Sequence, residues 1–393
     1  MIGIAFLSFI VLGLNAGLLG VVWPSMRASF GLSLDAIGTL MLLSTLVSLA
    51  ISFNSGPLIA RVGLGRLLTI GCLISGLGFV GHALAPAWWV VILFRIVAAT
   101  GTTILNTGVN VYFATNASAS LMNWLHACFG LGATGSPAIM TAMLNRGYSW
   151  RWGYLLTALC YGLLVACFGL TVRRWPSAAE APIEAPAERP TKVGSRDTLK
   201  LPAVWLSILL FFTFTGMEGS AGQWPYTLFT EARSVAPATA GLWVSIYWAS
   251  VTVGRIFFGF AVARTRAVPL VRACMGGSIC GAALIWWNIS HTLSFLGLAL
   301  IGFAGSPLFP LLTSNTPDRL GAEHAANAIG FQITAVKLGL AAIPALVGVL
   351  AEALGLEIIG PALFATATIM FLLHEAIVPR SKSKGFAGPG EMR

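Results

Sequence analysis

"LPAVWLSILLFFTFTGMEGSAGQWPYTLF", Leu201 to Phe229, is a long apolar run with a single charged residue, Glu218. A membrane-spanning helix needs roughly 20 mostly apolar residues, and this run has that character. A charge at bilayer depth costs roughly 2.5–3.5 kcal/mol on insertion scales, and such residues turn to a partner or a wet cavity. Glu218 is therefore protonated, paired, or facing water. Gly216, Gly219 and Gly222 surround it. Small residues at this spacing let a neighbouring helix approach closely, and also permit local unwinding.

The run is one of a series. Ahead of it lie apolar runs at about 3–26, 35–59, 67–84, 88–111, 120–145 and 152–172. It opens a second set at about 202–230, 239–262, 268–289, 292–315, 323–350 and 356–379. Between the sets stands "RRWPSAAEAPIEAPAERPTKVGSRDTLK", Arg173 to Lys200. This stretch is rich in Pro, Ala and charge, and too poor in large apolar residues to build a core. The expected organisation is an all-α membrane protein of twelve transmembrane helices. It divides into a six-helix half (1–172), a linker (173–200), a second six-helix half (201–379) and a tail (380–393). The first run lacks a basic leader and a cleavage motif, so it is read as span 1 and not as a signal peptide.

Composition agrees. The chain is 57% hydrophobic and 9% charged, whereas soluble domains are about a quarter charged. The net charge of +10 resides in short loops and implies topology, not nucleic acid. Most of the 23 Lys and Arg fall on the side of the linker, and the opposite loops hold only Arg27, Arg146, Arg151 and Arg233. By the positive-inside rule both termini and the linker are cytoplasmic. The expected location is a bacterial cytoplasmic membrane, with the chain a multi-pass monomer in the bilayer.

The halves also repeat. "GPLIAR" (Gly56 to Arg61) returns 203 positions on as "GFAVAR" (Gly259 to Arg264), and that offset carries "GLNAG" (Gly13 to Gly17) onto "GMEGS" (Gly216 to Ser220). Asn15 thereby matches Glu218. "GATGSP" (Gly132 to Pro137) matches "GLAAIP" (Gly339 to Pro344) 207 positions on. Duplicated halves with a midplane site between them are a transporter architecture.

Longer stretches carry a family likeness. "GPLIARVGLGR" (Gly56 to Arg66) and "FRIVAATGTTILNTGVN" (Phe94 to Asn110) resemble the major facilitator superfamily. "NWLHACFGLGATGSP" (Asn123 to Pro137), "GMEGSAGQWPYTLF" (Gly216 to Phe229), "GSPLFPLLTSNTPDRLG" (Gly305 to Gly321) and "IGFQITAVKLGLAAIP" (Ile329 to Pro344) are similar to the fucose-permease-like family within it. The resemblance implies alternating access and a hexose or related polyol as solute, coupled to protons or in some branches to sodium. Three positions depart from the pattern. Ala60 replaces the usual loop aspartate, and Asn15 and Asn106 stand where proton-coupled fucose permeases carry acids.

Glu218 is the one acid well inside a span and is the expected ion-coupling residue, with His126 as a second candidate. Asn123 and His126 are three apart, and Asn106 and Asn110 four apart, so each pair shares a helix face. Amides offer donors and acceptors suited to vicinal hydroxyls. Asn15, Trp224, Tyr247, Trp248, Asn327 and Gln332 complete the expected solute-binding set. Helix–helix bonding and packing are the competing roles for all of them. The expected gating set is Arg61, Arg66, Arg95, Arg255, Arg264 and Lys337. Lys337 is also open to pairing with Glu218 or to binding an anion. No phosphate loop, nucleophile triad or metal-ligand cluster is present, and the six cysteines form no CxxC. Neither an enzyme, a metal nor a cofactor is expected. An exporter of amphipathic compounds in the same fold stands as an alternative, as does a transporter-like sensor or lipid flippase.

The topology has a direct test. Single cysteines replacing Ser177 or Ser195 in a cysteine-free background should resist impermeant thiol reagents in intact cells. Labelling from outside would reverse the orientation.

Overall fold

The computed structural model describes residues 1–175, 193–261 and 265–378. Among these it holds twelve helices long and apolar enough to cross a membrane. They are α1 (Ile2–Phe30), α2 (Ala36–Phe53), α3 (Leu64–Leu84), α4 (Trp88–Asn116), α5 (Ala119–Asn145), α6 (Arg151–Leu170), α7 (Pro202–Gln223), α8 (Pro237–Ala261), α9 (Ala267–Trp287), α10 (His291–Gly305, which reaches crossing length with its continuation to Ser314), α11 (Ala322–Leu354) and α12 (Ile359–Ile377). Large apolar side chains such as Leu46, Phe53, Leu77, Leu159 and Phe260 are exposed on the outside of the bundle. Water would not tolerate so much apolar surface, and lipid requires it. Arg264 and most of the linker and tail lie outside the described residues.

Several expected spans are divided. The second breaks at Asn54, whose side-chain amide bonds the carbonyl of Ala50, and resumes as Ser55–Val62. It stops at Gly63, where φ is 81°. The seventh ends at Gln223 and passes through a short turn of helix into a π-type turn, Leu228–Ala232. The tenth pauses at Ser306 and Pro307 before Leu308–Ser314. Proline removes an amide hydrogen and crowds the preceding turn, which accounts for that pause.

Within each half, small residues bring helix backbones together. A Cβ on Gly13 or Gly17 of α1 would collide with α5 backbone at Phe129 and Ala133, and one on Gly132 of α5 with the carbonyl of Ile10. The second half repeats this: a Cβ on Gly339 of α11 would collide with the carbonyl of Phe212 in α7. Gly132 and Gly339 are the pair that the internal repeat aligns. Gly71 and Gly101 join α3 to α4, and Gly281 and Gly297 join α9 to α10 in the same way. Lipid supplies no hydrophobic drive between helices, so close van der Waals approach must hold them.

The halves meet through α2 against α11 and α5 against α8. Two of their polar ties lie at the end remote from the linker, called here the far side. Arg27 at the end of α1 bonds Glu231 at 2.7 Å, and the amide of Leu34 donates to Glu352 of α11 at 2.7 Å. Gly20 abuts Gly222 and Gln223, and Gly38 abuts Ala345. These contacts close the far side between the halves.

Far-side polar groups also fasten the second half internally. The Arg233 side chain is 2% exposed and makes a two-pronged bond to Glu357, with further bonds to Ser294 Oγ and the carbonyl of Ile285. Arg233→Gln should lower the apparent melting temperature of purified protein sharply, because it strips several buried partners at once, a loss of about 2–4 kcal/mol. Arg27→Gln removes a part-exposed pair and should cost under about 1 kcal/mol. Equal shifts in thermal denaturation would refute this ranking.

Candidate functional site

The first half contributes a polar chain running α1–α4–α2. Arg95 of α4 donates through Nη1 to Asn15 Oδ1 and through Nε to Ser44 Oγ, both at 3.2 Å. One turn on, Thr103 donates to Ser48 Oγ at 2.9 Å. No carboxylate takes part. Asn15 spends its carbonyl oxygen on the guanidinium and keeps its amide hydrogens. Ser44 was not among the expected residues. Its sequence signal is the Ser44 and Ser48 pair, four apart on an otherwise apolar run.

Linker-ward along α4 and α5, Asn106 and Asn123 are exposed. Asn110 donates to the Asn106 backbone and side-chain oxygens, at 2.8 and 3.0 Å. His126 is exposed too, edge-on to Phe9 of α1 with ring centroids 5.6 Å apart. Gly130, one turn further along α5, touches Thr252 of α8. His126 therefore sits where the halves begin to part.

The second half supplies the charged part. Glu218 is partly exposed, and its Oε1 lies 3.9 Å from Arg255 Nη2. That is a Coulombic contact beyond hydrogen-bond reach. Tyr247 of α8 is buried and donates its hydroxyl to the Glu218 carbonyl at 3.0 Å. This bond holds α8 against α7 at the level of the carboxylate. Glu218, Met217, Tyr247, Val251, Ile301, Gly302 and Gly305 line a small cavity between α7, α8 and α10. The glycines beside Glu218 do bring neighbours close: Gly216 meets Ile343, Gly219 meets Leu340 and Gly222 meets Trp248. Trp248 packs edge-on to Tyr247.

Lys337 is not the partner of Glu218. Its ammonium donates to Ser52 Oγ of α2 at 2.5 Å, a tie between the halves. Ser52 is the position that the 203-residue repeat aligns with Arg255. Three other expected residues are engaged in packing. Trp224 is fully buried beyond the end of α7, with its indole N–H on the carbonyl of Pro344 and its ring against Gly348. Gln332 is buried and links Ser207 of α7 to Thr316. Asn327 holds the end of the linker through the Val193 carbonyl, Thr198 and Ser195. Arg61 and Arg66 are exposed on the linker side. Among the described residues, no group of three His, Cys, Asp or Glu is placed to hold a metal ion.

The layout has many structural relatives. The nucleoside transporter NupG matches with a TM-score of 0.78 at 13% identity, over 95% of this chain and 98% of that one. A bacterial homologue of the human lysosomal transporter Spinster matches at 0.75 and 12% identity, over 96% of each chain. The transporter FucP in its outward conformation matches at 0.63 and 14% identity, over 95% of this chain and 98% of that one. At such identities the likeness is one of fold. In sequence, "Bypass of stop codon protein 6" of Saccharomyces cerevisiae is 22% identical over 95% of this chain and 81% of its own length. A family model described as the Major Facilitator Superfamily matches residues 5–344. With its twelve helices and its repeated halves, the chain belongs to the Major Facilitator Superfamily.

Proposed function

We propose that the chain is a secondary active transporter for a monosaccharide or similar small polyhydroxylated solute, working by alternating access and coupled to protons through Glu218. It moves its solute chemically unchanged and works as a monomer in the cytoplasmic membrane. The termini and linker are cytoplasmic, so the present form faces inward. The residue ranges 1–172 and 201–379 are the two rocking bodies.

One observation carries the reading. In the first half Asn106, Asn123 and His126 are exposed, and in the second the exposed guanidinium of Arg255 stands 3.9 Å from the partly exposed carboxylate of Glu218; we read these five as facing one space. Amides suit the donor and acceptor pattern of vicinal hydroxyls. A lone carboxylate between a dry and a wet environment changes its proton affinity as the site opens, which is what coupling requires. The structural neighbours include nucleoside, fucose and peptide transporters, and the choice among solutes rests on the polar side chains.

Two measurements test this. Glu218→Gln mimics the protonated acid and should abolish gradient-driven accumulation in proteoliposomes while keeping counterflow exchange. Accumulation by this variant would remove Glu218 from coupling, and accumulation that follows sodium and ignores pH would remove the proton. Separately, Asn106→Ala, Asn123→Ala and His126→Ala should each weaken solute binding about tenfold, the value of one or two hydrogen bonds. Unchanged affinity across all three would reduce them to packing residues.

A further inference from the structure

The charges inside the membrane do not balance. Arg95, Arg255 and Lys337 lie within spans, and Glu218 is the one acid within the described spans away from the helix ends. Arg95 and Lys337 are held by neutral oxygens. Arg255 is exposed, makes no hydrogen bond among the described residues, and is approached by Glu218 only at 3.9 Å. A guanidinium presents a planar fork of N–H donors matched to a carboxylate. Here that fork makes no hydrogen bond among the described residues, is exposed, and lies three residues from Thr252, which meets Gly130 of the opposite half.

We propose that the solute bears a carboxylate, and that this carboxylate takes Arg255 over from Glu218. This rests on the reading above and names its solute class: a polyhydroxylated monocarboxylate. One cation serves two carboxylates in turn. When the solute binds Arg255, Glu218 loses its counter-ion and takes up a proton, so each anion enters with one proton and the pair is neutral. The other titratable groups around Glu218 are compatible with this. Tyr247 is bound through its hydroxyl to the Glu218 carbonyl, Lys337 is turned to Ser52, and His126 packs edge-on to Phe9. On α1 Arg27 is held by Glu231, and on α12 Glu375 is held by Arg272. His291 and His374 lie at the ends of α10 and α12.

Matched pairs of solutes test it by calorimetry on the purified protein: D-glucuronate against D-glucose and D-galacturonate against D-galactose, with lactate as a carboxylate poor in hydroxyls. The uronates should bind at least about tenfold tighter than the neutral sugars. They should take up one proton per anion and bind more weakly as pH rises. Arg255→Met should erase the preference and Arg255→Lys retain part of it, each checked for a monodisperse folded protein. Glu218→Gln should bind uronates at least as well as the unmodified chain, without proton uptake. Neutral sugars binding as tightly as uronates would overturn the carboxylate and leave the polyol reading intact. Lactate binding as tightly as uronates would do the reverse. A preference that survives Arg255→Met, or no binding of any solute in the panel, would also overturn the proposal.

Discussion

Hydrocarbon cannot hydrogen-bond a peptide group, so each spanning segment must satisfy its own backbone, and a helix is the form that does so with one segment. The same solvent removes the hydrophobic drive between helices and leaves close packing to join them. In this protein glycines fulfil that need. Gly13, Gly17 and Gly132 lay α1 on α5, and Gly219 and Gly339 lay α7 on α11. Those contacts fix the rotation of four helices about their axes. Asn15, His126 and Glu218 face where they do because the glycine faces of their helices are already committed elsewhere.

The spans were legible because the bilayer demands length and apolarity, and both are written locally. The repeat was legible for a physical reason too. Gly132 and Gly339 align in sequence and make the same contact with a facing carbonyl. Partnerships across helices were less legible. Lys337 was a natural candidate for Glu218, yet it lies on the α11 face turned to α2, while Arg255 is carried in by α8. Trp224, six residues after Glu218, invited a role in stacking on a sugar. The chain leaves the helix at Gln223 and turns the ring toward Pro344 instead. Amides on α11 read alike in sequence whether they meet solute or neighbour, and Gln332 and Asn327 meet neighbours.

The two halves use their interior arginines differently. Arg95 is tied by two directed bonds to helices of its own half, so it acts as a brace joining α1, α2 and α4. Arg255 is loosely held, and Thr252, three residues before it, meets Gly130 of the opposite half. A braced body and a body with a loose charge at its edge form an asymmetric machine, although both descend from one repeated plan.

The far-side seal has an energetic consequence. It consists of one part-exposed ion pair, one backbone-to-carboxylate bond and a few contacts at glycine and alanine. An exposed pair contributes about 0–1 kcal/mol, and a hydrogen bond to a charged group about 1.5–3 kcal/mol. A tenfold concentration difference across a membrane supplies about 1.4 kcal/mol per solute. Seal and gradient are thus of similar size. Parting the far side requires no large input, and the resting preference between the two faces is shallow enough for bound cargo to reverse it.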